Sequence, residues 1–272
     1  MKKTPIKPGQ GPFPAIIDIS GGGSGLISYR GGLFARHGYA CLCLAYGNYK
    51  DLPPLEKMDF SYFEEGYKYL REQQFVDGNR IGIYGLCWGG TIALVLGRLL
   101  PDVKGVVALS PEPLASCVDF HIKGEIIPGV QWDPINLKAK HGAIECRGTY
   151  KPNLEQKGPW TKYNLDLGKS KAPLLIFQGA DNRLFDLGLY SNILIEQMIA
   201  AEKTNYEIIV LPDAGHNLHA PFLPAFQKFE HQFYFHDLHF MTLYGTNRPG
   251  HAKAQERAWK KSLEFFSKHL EN

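Results

Sequence analysis

Residues 80–94, RIGIYGLCWGGTIAL, leave the rest of the chain little freedom. A β-branched and aromatic run breaks at Gly85, a small-residue helical pattern resumes after Gly89, and Cys87 occupies the corner between them. A strand that turns directly into a helix needs a parallel neighbour to return to, since antiparallel neighbours are joined by short hairpins and parallel ones by helical crossovers.

The flanking sequence repeats the alternation. AIIDIS, YACLCLAY, RIGIYG and KGVVALS are apolar, β-rich runs, and LISYRGGLFARHG, SYFEEGYKYLREQ and TIALVLGRLL between them carry helical spacing. This predicts βαβ units in an α/β architecture, a mostly parallel sheet flanked by helices. After Pro111 the pattern lapses until about Gly168, too long for a simple crossover, so an insertion near residues 111–168 is expected over one sheet edge. Alternation returns with PLLIFQG, LGLYSNILIEQMIAAE and YEIIVLP, and a closing helix is expected from about His251 to His269. The 272 residues read as a single domain, with 44% hydrophobic residues to build its core.

Charge narrows the function. A net charge of +3, evenly spread, argues against nucleic acid or an anionic membrane as the main partner. MKKTPIKPGQGPFP lacks the apolar core of a signal peptide, and TIALVLGRLL falls short of the roughly 20 residues that a membrane helix needs. Cys41, Cys43, Cys87, Cys117 and Cys146 are odd in number and follow no framework spacing, which predicts reduced thiols and a cytoplasmic protein. The terminal HLEN is not a peroxisomal tripeptide.

The corner itself, Gly85-x-Cys87-x-Gly89, resembles the nucleophile elbow of α/β-hydrolases. Glycines fit where backbones pass closely, and a helix N-terminus is expected to lower the thiol's pKa. The competing reading, a buried cysteine acting as a small hydrophobe, does not account for its place between strand and helix. In that fold the acid follows a later strand and the histidine the last one. Asp181 in PLLIFQGADNRLFD and His216 in YEIIVLPDAGHNLH stand at those places. Asp186 is a rival acid, better suited to starting the next helix, and Asp213 reads as a turn residue. The oxyanion hole is expected from the N–H of Trp88 and from DISGGGSGL, assigned to Gly22 and Gly23; a phosphate loop would want a Walker lysine that is missing.

GGGSGLISYRGGLFARHGYACLCLAYGNYKDLP, DFSYFEEGYKYL and HAKAQERAWKKSLEFFSKHL together resemble the catalytic domain of the acyl-CoA thioester hydrolases and bile acid-CoA:amino acid N-acyltransferases, from about Phe13 to Leu270. The resemblance implies a nucleophile, acid and base at Cys87, Asp181 and His216. It also implies an acyl-CoA substrate, with coenzyme A entering as part of that substrate and no separate cofactor. Such proteins usually carry an N-terminal β-sandwich domain, and only about a dozen residues precede the first strand here. Their thioesterases use serine at the elbow, whereas the amino-acid-conjugating member uses cysteine. Cysteine keeps the acyl group as an activated thioester, suited to delivery to glycine or taurine.

GLCWGG also resembles the elbow of dienelactone hydrolases, so a carboxylester hydrolase is the alternative enzyme, and a non-catalytic hydrolase-fold binding protein the alternative of another class. His231, His236 and His239 in HQFYFHDLHF match no metal spacing and read as a solvated or substrate-facing loop, so no metal is expected. Cys41 and Cys43 alternate onto one strand face as core. Arg30 is expected on a helix surface, with a CoA phosphate as its other conceivable partner, and Gly31 and Gly32 beside it suggest close packing.

Overall fold

In the computed structural model of the chain the described residues are 11–22, 25–47, 49–52, 55–156, 159–221, 223, 228–233 and 238–270. The expected alternation appears as β1 (Phe13–Ile19), α1 (Tyr29–Arg36), β2 (Ala40–Leu44), β3 (Met58–Asp59), α2 (Phe60–Arg71), β4 (Val76–Leu86), α3 (Trp88–Leu99) and β5 (Gly105–Leu109). The insertion contributes β6 (Phe120–Ile122), β7 (Glu125–Ile127), β8 (Lys138–Lys140), β9 (Ala143–Glu145) and α4 (Lys151–Gln156). Then come β10 (Leu174–Gly179), α5 (Leu187–Ala200), β11 (Tyr206–Leu211), β12 (Lys228–Phe233), β13 (Leu238–Leu243) and α6 (Arg248–Leu270).

The central sheet runs β11-β10-β5-β4-β1-β2, and every neighbouring pair in it is parallel. Helices cover both faces, which is why β2, β5 and β10 are buried along their whole length and read as unbroken apolar runs. Period-2 alternation divides the core: Ile17, Leu42 and Ile83 pack with Phe63, Leu94 and Leu194 from α2, α3 and α5. Ile16, Cys41, Cys43 and Tyr84 pack on the other side with Phe34 of α1 and Trp259 and Phe266 of α6. The two cysteines therefore share a face, as their spacing requires. α2 begins at Asp59, whose side chain accepts from the Ser61 N–H at 3.1 Å, and it buries Phe60, Phe63, Tyr67 and Leu70 on one stripe.

Three expectations change. The insertion supplies β6, β7, β8 and β9, three residues each and too short to leave a period in the sequence, to two small sheets, β12-β13-β9-β8 and β3-β6-β7, completed by strands from outside it. His231 and His239 lie on the arms of an antiparallel pair, His231 opposite Phe240 and Gln232 opposite His239, rather than in a loop; residues 234–237, His236 among them, lie outside the described residues. Arg30 is neither on the helix surface nor near solvent. It is 1% exposed and pairs with Asp18 of β1 at 2.8 Å, because a carboxylate inside an apolar strand needs a buried partner. Next to it, Gly32 is exposed, and a methyl added there would meet nothing within 4 Å, so close packing explains only its buried neighbour Gly31.

Candidate active site

The corner is as tight as its glycines suggest. Cys87 sits between β4 and α3 at φ 58° and ψ −126°, a conformation that costs a side-chain-bearing residue on the order of 1–3 kcal/mol. It is over-determined: the Cys87 N–H donates to Leu109 O of β5 at 2.8 Å, and the Thr91 N–H donates to Cys87 O at 3.1 Å. A Cβ at Gly85 would lie 2.0 Å from Gly89 O, and one at Gly89 would lie 2.2 Å from Ile19 O, so both positions require glycine.

The glycine loop after β1 lies against this corner. A Cβ on Gly21 would meet Cys87 Cβ at 3.0 Å, and one on Gly22 would meet the Trp88 ring at 3.0 Å. Tyr46 and Tyr49 fix the loop from behind. The buried Tyr46 hydroxyl donates to Ser20 O at 2.9 Å, and the Tyr49 ring stands where a Gly25 side chain would be, 2.7 Å away. The AYGNY motif thus braces the loop; its Asn48, and Gly23 of the expected oxyanion pair, lie outside the described residues. The N–H groups of Trp88 and Gly22 both face the Cys87 sulfur and pull its pKa down.

They do not prevail. Only part of Cys87 meets solvent, and burial of the rest, helped by the nearby Glu112 carboxylate, pushes the thiol up to about 12. The expectation of a thiol lowered by the helix N-terminus is overturned, so the resting group is the protonated thiol. Glu112, to which no sequence motif points, is itself 2% exposed, and burial raises its carboxyl to about 7. Hydrogen bonds from Ser116, Tyr190, Trp88 and Tyr150 surround it, with the Tyr190 hydroxyl 3.3 Å from Oε2.

His216 follows β11 and is 1% exposed. Its N–H donates to Tyr244 O at 2.7 Å, and its carbonyl accepts from the Ser110 hydroxyl at 2.7 Å. From α6, His251 Nδ1 accepts the Gly215 N–H at 2.9 Å. The His216 ring stands edge-on to Phe185 at 4.7 Å and tilted to Tyr244 at 5.3 Å. Cys87 packs against the cluster holding both rings, so Cys87 and His216 border the same apolar surface. A shallow pocket lined by Tyr150, Leu184, Phe185 and Tyr190 opens beside it.

Asp181 does not join them. Arg183 donates to its Oδ1 at 2.8 and 2.7 Å, while Oδ2 accepts from the Thr246 hydroxyl at 2.8 Å, from the Thr246 N–H and from the Asn247 N–H at 3.2 Å. These bonds hold its carboxyl below the usual range although burial opposes them, and they tie β10 to the loop before α6. The side chain facing His216 is the next one, with Asn182 Nδ2 3.2 Å from His216 Nδ1. Successive side chains in a turn point different ways, and the carboxylate draws attention one position too early. The signal for Asn182 is an Asx pattern: its Oδ1 accepts from the N–H groups of Leu184 and Phe185, each at 3.0 Å. Asp186 caps α5 through the Leu189 N–H at 3.0 Å, and Asp213 accepts from Asn247 in a turn at 3.1 Å, both as their positions suggest. Among the described residues no three His, Cys, Asp or Glu side chains gather as a metal site, and no helix is long and apolar enough to cross a membrane.

Residues 58–272 match the family described as "BAAT / Acyl-CoA thioester hydrolase C terminal". The chain is 31% identical over 270 residues to the mouse peroxisomal succinyl-coenzyme A thioesterase. It is 32% identical to the mouse bile acid-CoA:amino acid N-acyltransferase and 32% identical to human acyl-coenzyme A thioesterase 6. Each match covers 97% of this chain and 62% of the relative, so the chain spans under two thirds of their length. Among solved structures, a putative dienelactone hydrolase from Klebsiella pneumoniae is similar with a TM-score of 0.59 at 17% identity, covering 96% of this chain and 89% of that one. The acylaminoacyl peptidase of Pyrococcus horikoshii reaches 0.64 at 16% identity, over 100% of this chain and 39% of its own. At these identities the likeness is one of fold, and that fold is the α/β-hydrolase.

Proposed function

Because the chain belongs to the BAAT / acyl-CoA thioester hydrolase C-terminal family, we propose that it cleaves an acyl-CoA thioester through an acyl-cysteine on Cys87 and passes the acyl group to an amino acid such as glycine or taurine, or to water. The observation that carries this reading is the convergence of the Trp88 and Gly22 N–H groups on the Cys87 sulfur at a strained elbow. Donors aimed there meet the oxygen of any carbonyl that the sulfur attacks.

The cycle balances with these groups alone. The Cys87 proton passes to His216 as the sulfur adds to the thioester carbonyl carbon, and the developing oxyanion lies between the N–H groups of Trp88 and Gly22. The bond from that carbon to the CoA sulfur breaks, the departing sulfur takes the proton, and an acyl-Cys87 thioester remains. An amine or water then adds to the same carbon and gives its proton, through His216, back to the Cys87 sulfur. One thioester has been exchanged for another in the first half, so the acyl group stays activated for an amine. The reading needs no metal and no cofactor beyond the coenzyme A of the substrate.

The test is intact mass spectrometry after mixing the protein with octanoyl-CoA, with and without glycine or taurine, alongside release of free CoA. An adduct on Cys87 that clears faster with amine is the expected result, and Cys87→Ala should form no adduct and release no CoA. Full turnover by Cys87→Ala refutes the mechanism. If the unaltered protein gives neither adduct nor CoA, a carboxylester hydrolase or a non-catalytic binding protein takes its place.

A further inference from the structure

An ordinary nucleophile–histidine–carboxylate triad has an acceptor at Nδ1: the carboxylate takes the Nδ1 proton, leaves Nε2 bare to act as base, and stabilises the imidazolium that forms. Here an amide occupies that place, and its orientation is fixed. Asn182 is 5% exposed, and its Oδ1 is held by two main-chain donors, the N–H groups of Leu184 and Phe185 at 3.0 Å each. Turning the amide over would aim its NH2 at both of them. The NH2 therefore faces His216 Nδ1 at 3.2 Å and donates to it. A neutral imidazole that accepts at Nδ1 carries its proton on Nε2. Asp181, the preceding residue, is engaged by Arg183, Thr246 and Asn247.

We propose, resting on the acyl-cysteine reading, that Asn182 is a positioning residue that weakens His216 as a base and thereby favours acyl transfer to an amine over hydrolysis. It selects the tautomer whose Nε2 already bears a proton. It also disfavours the imidazolium, because an Nδ1–H would then point at the Asn182 NH2. The two fates of the acyl-Cys87 thioester feel this differently. Water becomes an effective nucleophile only as a base removes its proton, whereas a neutral amine attacks through its own lone pair and loses its proton afterwards. A weak base slows the first more than the second, so the thioester outlasts water until an amine arrives. Taking the Cys87 proton at Nε2 first requires the minor tautomer, its proton moved from Nε2 to Nδ1, and burial pushes the Cys87 thiol up in the same pocket, so acylation is slow as well.

Asn182→Asp separates the possibilities, since Asp keeps the oxygen that the Leu184 and Phe185 N–H groups need and replaces only the donor facing Nδ1. With octanoyl-CoA and no amine, the variant should hydrolyse acyl-Cys87 at least about tenfold faster, up to the roughly 10⁴-fold that the opposite exchange costs a serine protease. Its ratio of glycine conjugate to free octanoate should fall. The limb of the pH–rate profile governed by His216 should move up by about one pH unit, because a carboxylate stabilises the imidazolium. A merely structural Asn182 would leave that limb in place. A second measurement needs no variant: in the ¹⁵N spectrum of the unaltered protein His216 should carry its proton on Nε2. Nδ1 protonation, or an Asn182→Asp protein with unchanged hydrolysis and an unchanged limb, overturns the inference while the acyl-cysteine stands. Absence of both an adduct and CoA release in both proteins overturns the acyl-cysteine reading, and this inference with it.

Discussion

Replacing Glu112 by glutamine should reverse part of the protein's pH dependence. The Glu112 carboxyl is buried near Cys87, and its pKa is raised from 4.5 to about 7, first by burial, with its hydrogen bonds pulling the other way. At about 1.4 kcal/mol for each tenfold gain in proton affinity, this rise makes the folded chain prefer the protonated acid by about 3 kcal/mol. The sign follows from where the proton is held more tightly. Below pH 4.5 both folded and unfolded chains carry the neutral acid and the stabilisation is complete; as pH rises to about 7 the unfolded chain ionises freely while the folded one resists, and stability falls. The amide introduced by Glu112→Gln is neutral throughout, so the difference in unfolding free energy between the variant and the unaltered protein should grow by about 3 kcal/mol in the variant's favour from pH 4.5 to pH 8. Urea titrations at half-unit pH intervals on both proteins measure it. The Cys87 thiol should respond as well, since removing the neighbouring charge lowers its pKa and speeds its alkylation at pH 8. Parallel stability curves, or a difference that is complete below pH 5, would refute a neutral buried acid.

Two further outcomes concern α1 and its strand. Gly32→Ala should stabilise the protein by about 1 kcal/mol and raise its melting temperature by about 2–4 °C, because the helix gains a better former and the added methyl meets nothing; thermal scans check this. Arg30→Leu should cost about 3–5 kcal/mol in urea unfolding by leaving Asp18 buried without its cation, and the Asp18→Leu, Arg30→Leu double variant should recover most of the loss.

The parts of this molecule that the sequence discloses are those where local rules and global packing coincide. β2, β5 and β10 read clearly because a sheet covered on both faces demands unbroken apolar runs, and the elbow reads clearly because glycines at 85 and 89 have no other use. Phe120–Ile122 and Lys138–Lys140 cannot be read, since a strand of this length shows no period and owes its place to partners such as Met58, distant in sequence. Arg30 is misplaced by sequence reasoning because a helix gives no sign of which charged side chain turns inward; the hint lies in the lone carboxylate of AIIDIS. The histidine's neighbour is missed because chemistry favours Asp181, while the turn geometry that brings Asn182 forward depends on main-chain donors two and three residues on.

The strapping of the histidine loop has a consequence in time. The N–H groups of Gly215 and His216 are satisfied by His251 and Tyr244, from segments synthesised after the loop itself. The sheet from β1 to β10, the elbow and the glycine loop all lie earlier in the chain, and they can assemble while those partners are still being made. A nascent chain thus carries its thiol at the corner before the imidazole has a fixed place, and the loop holding His216 is secured only once α6 has been made.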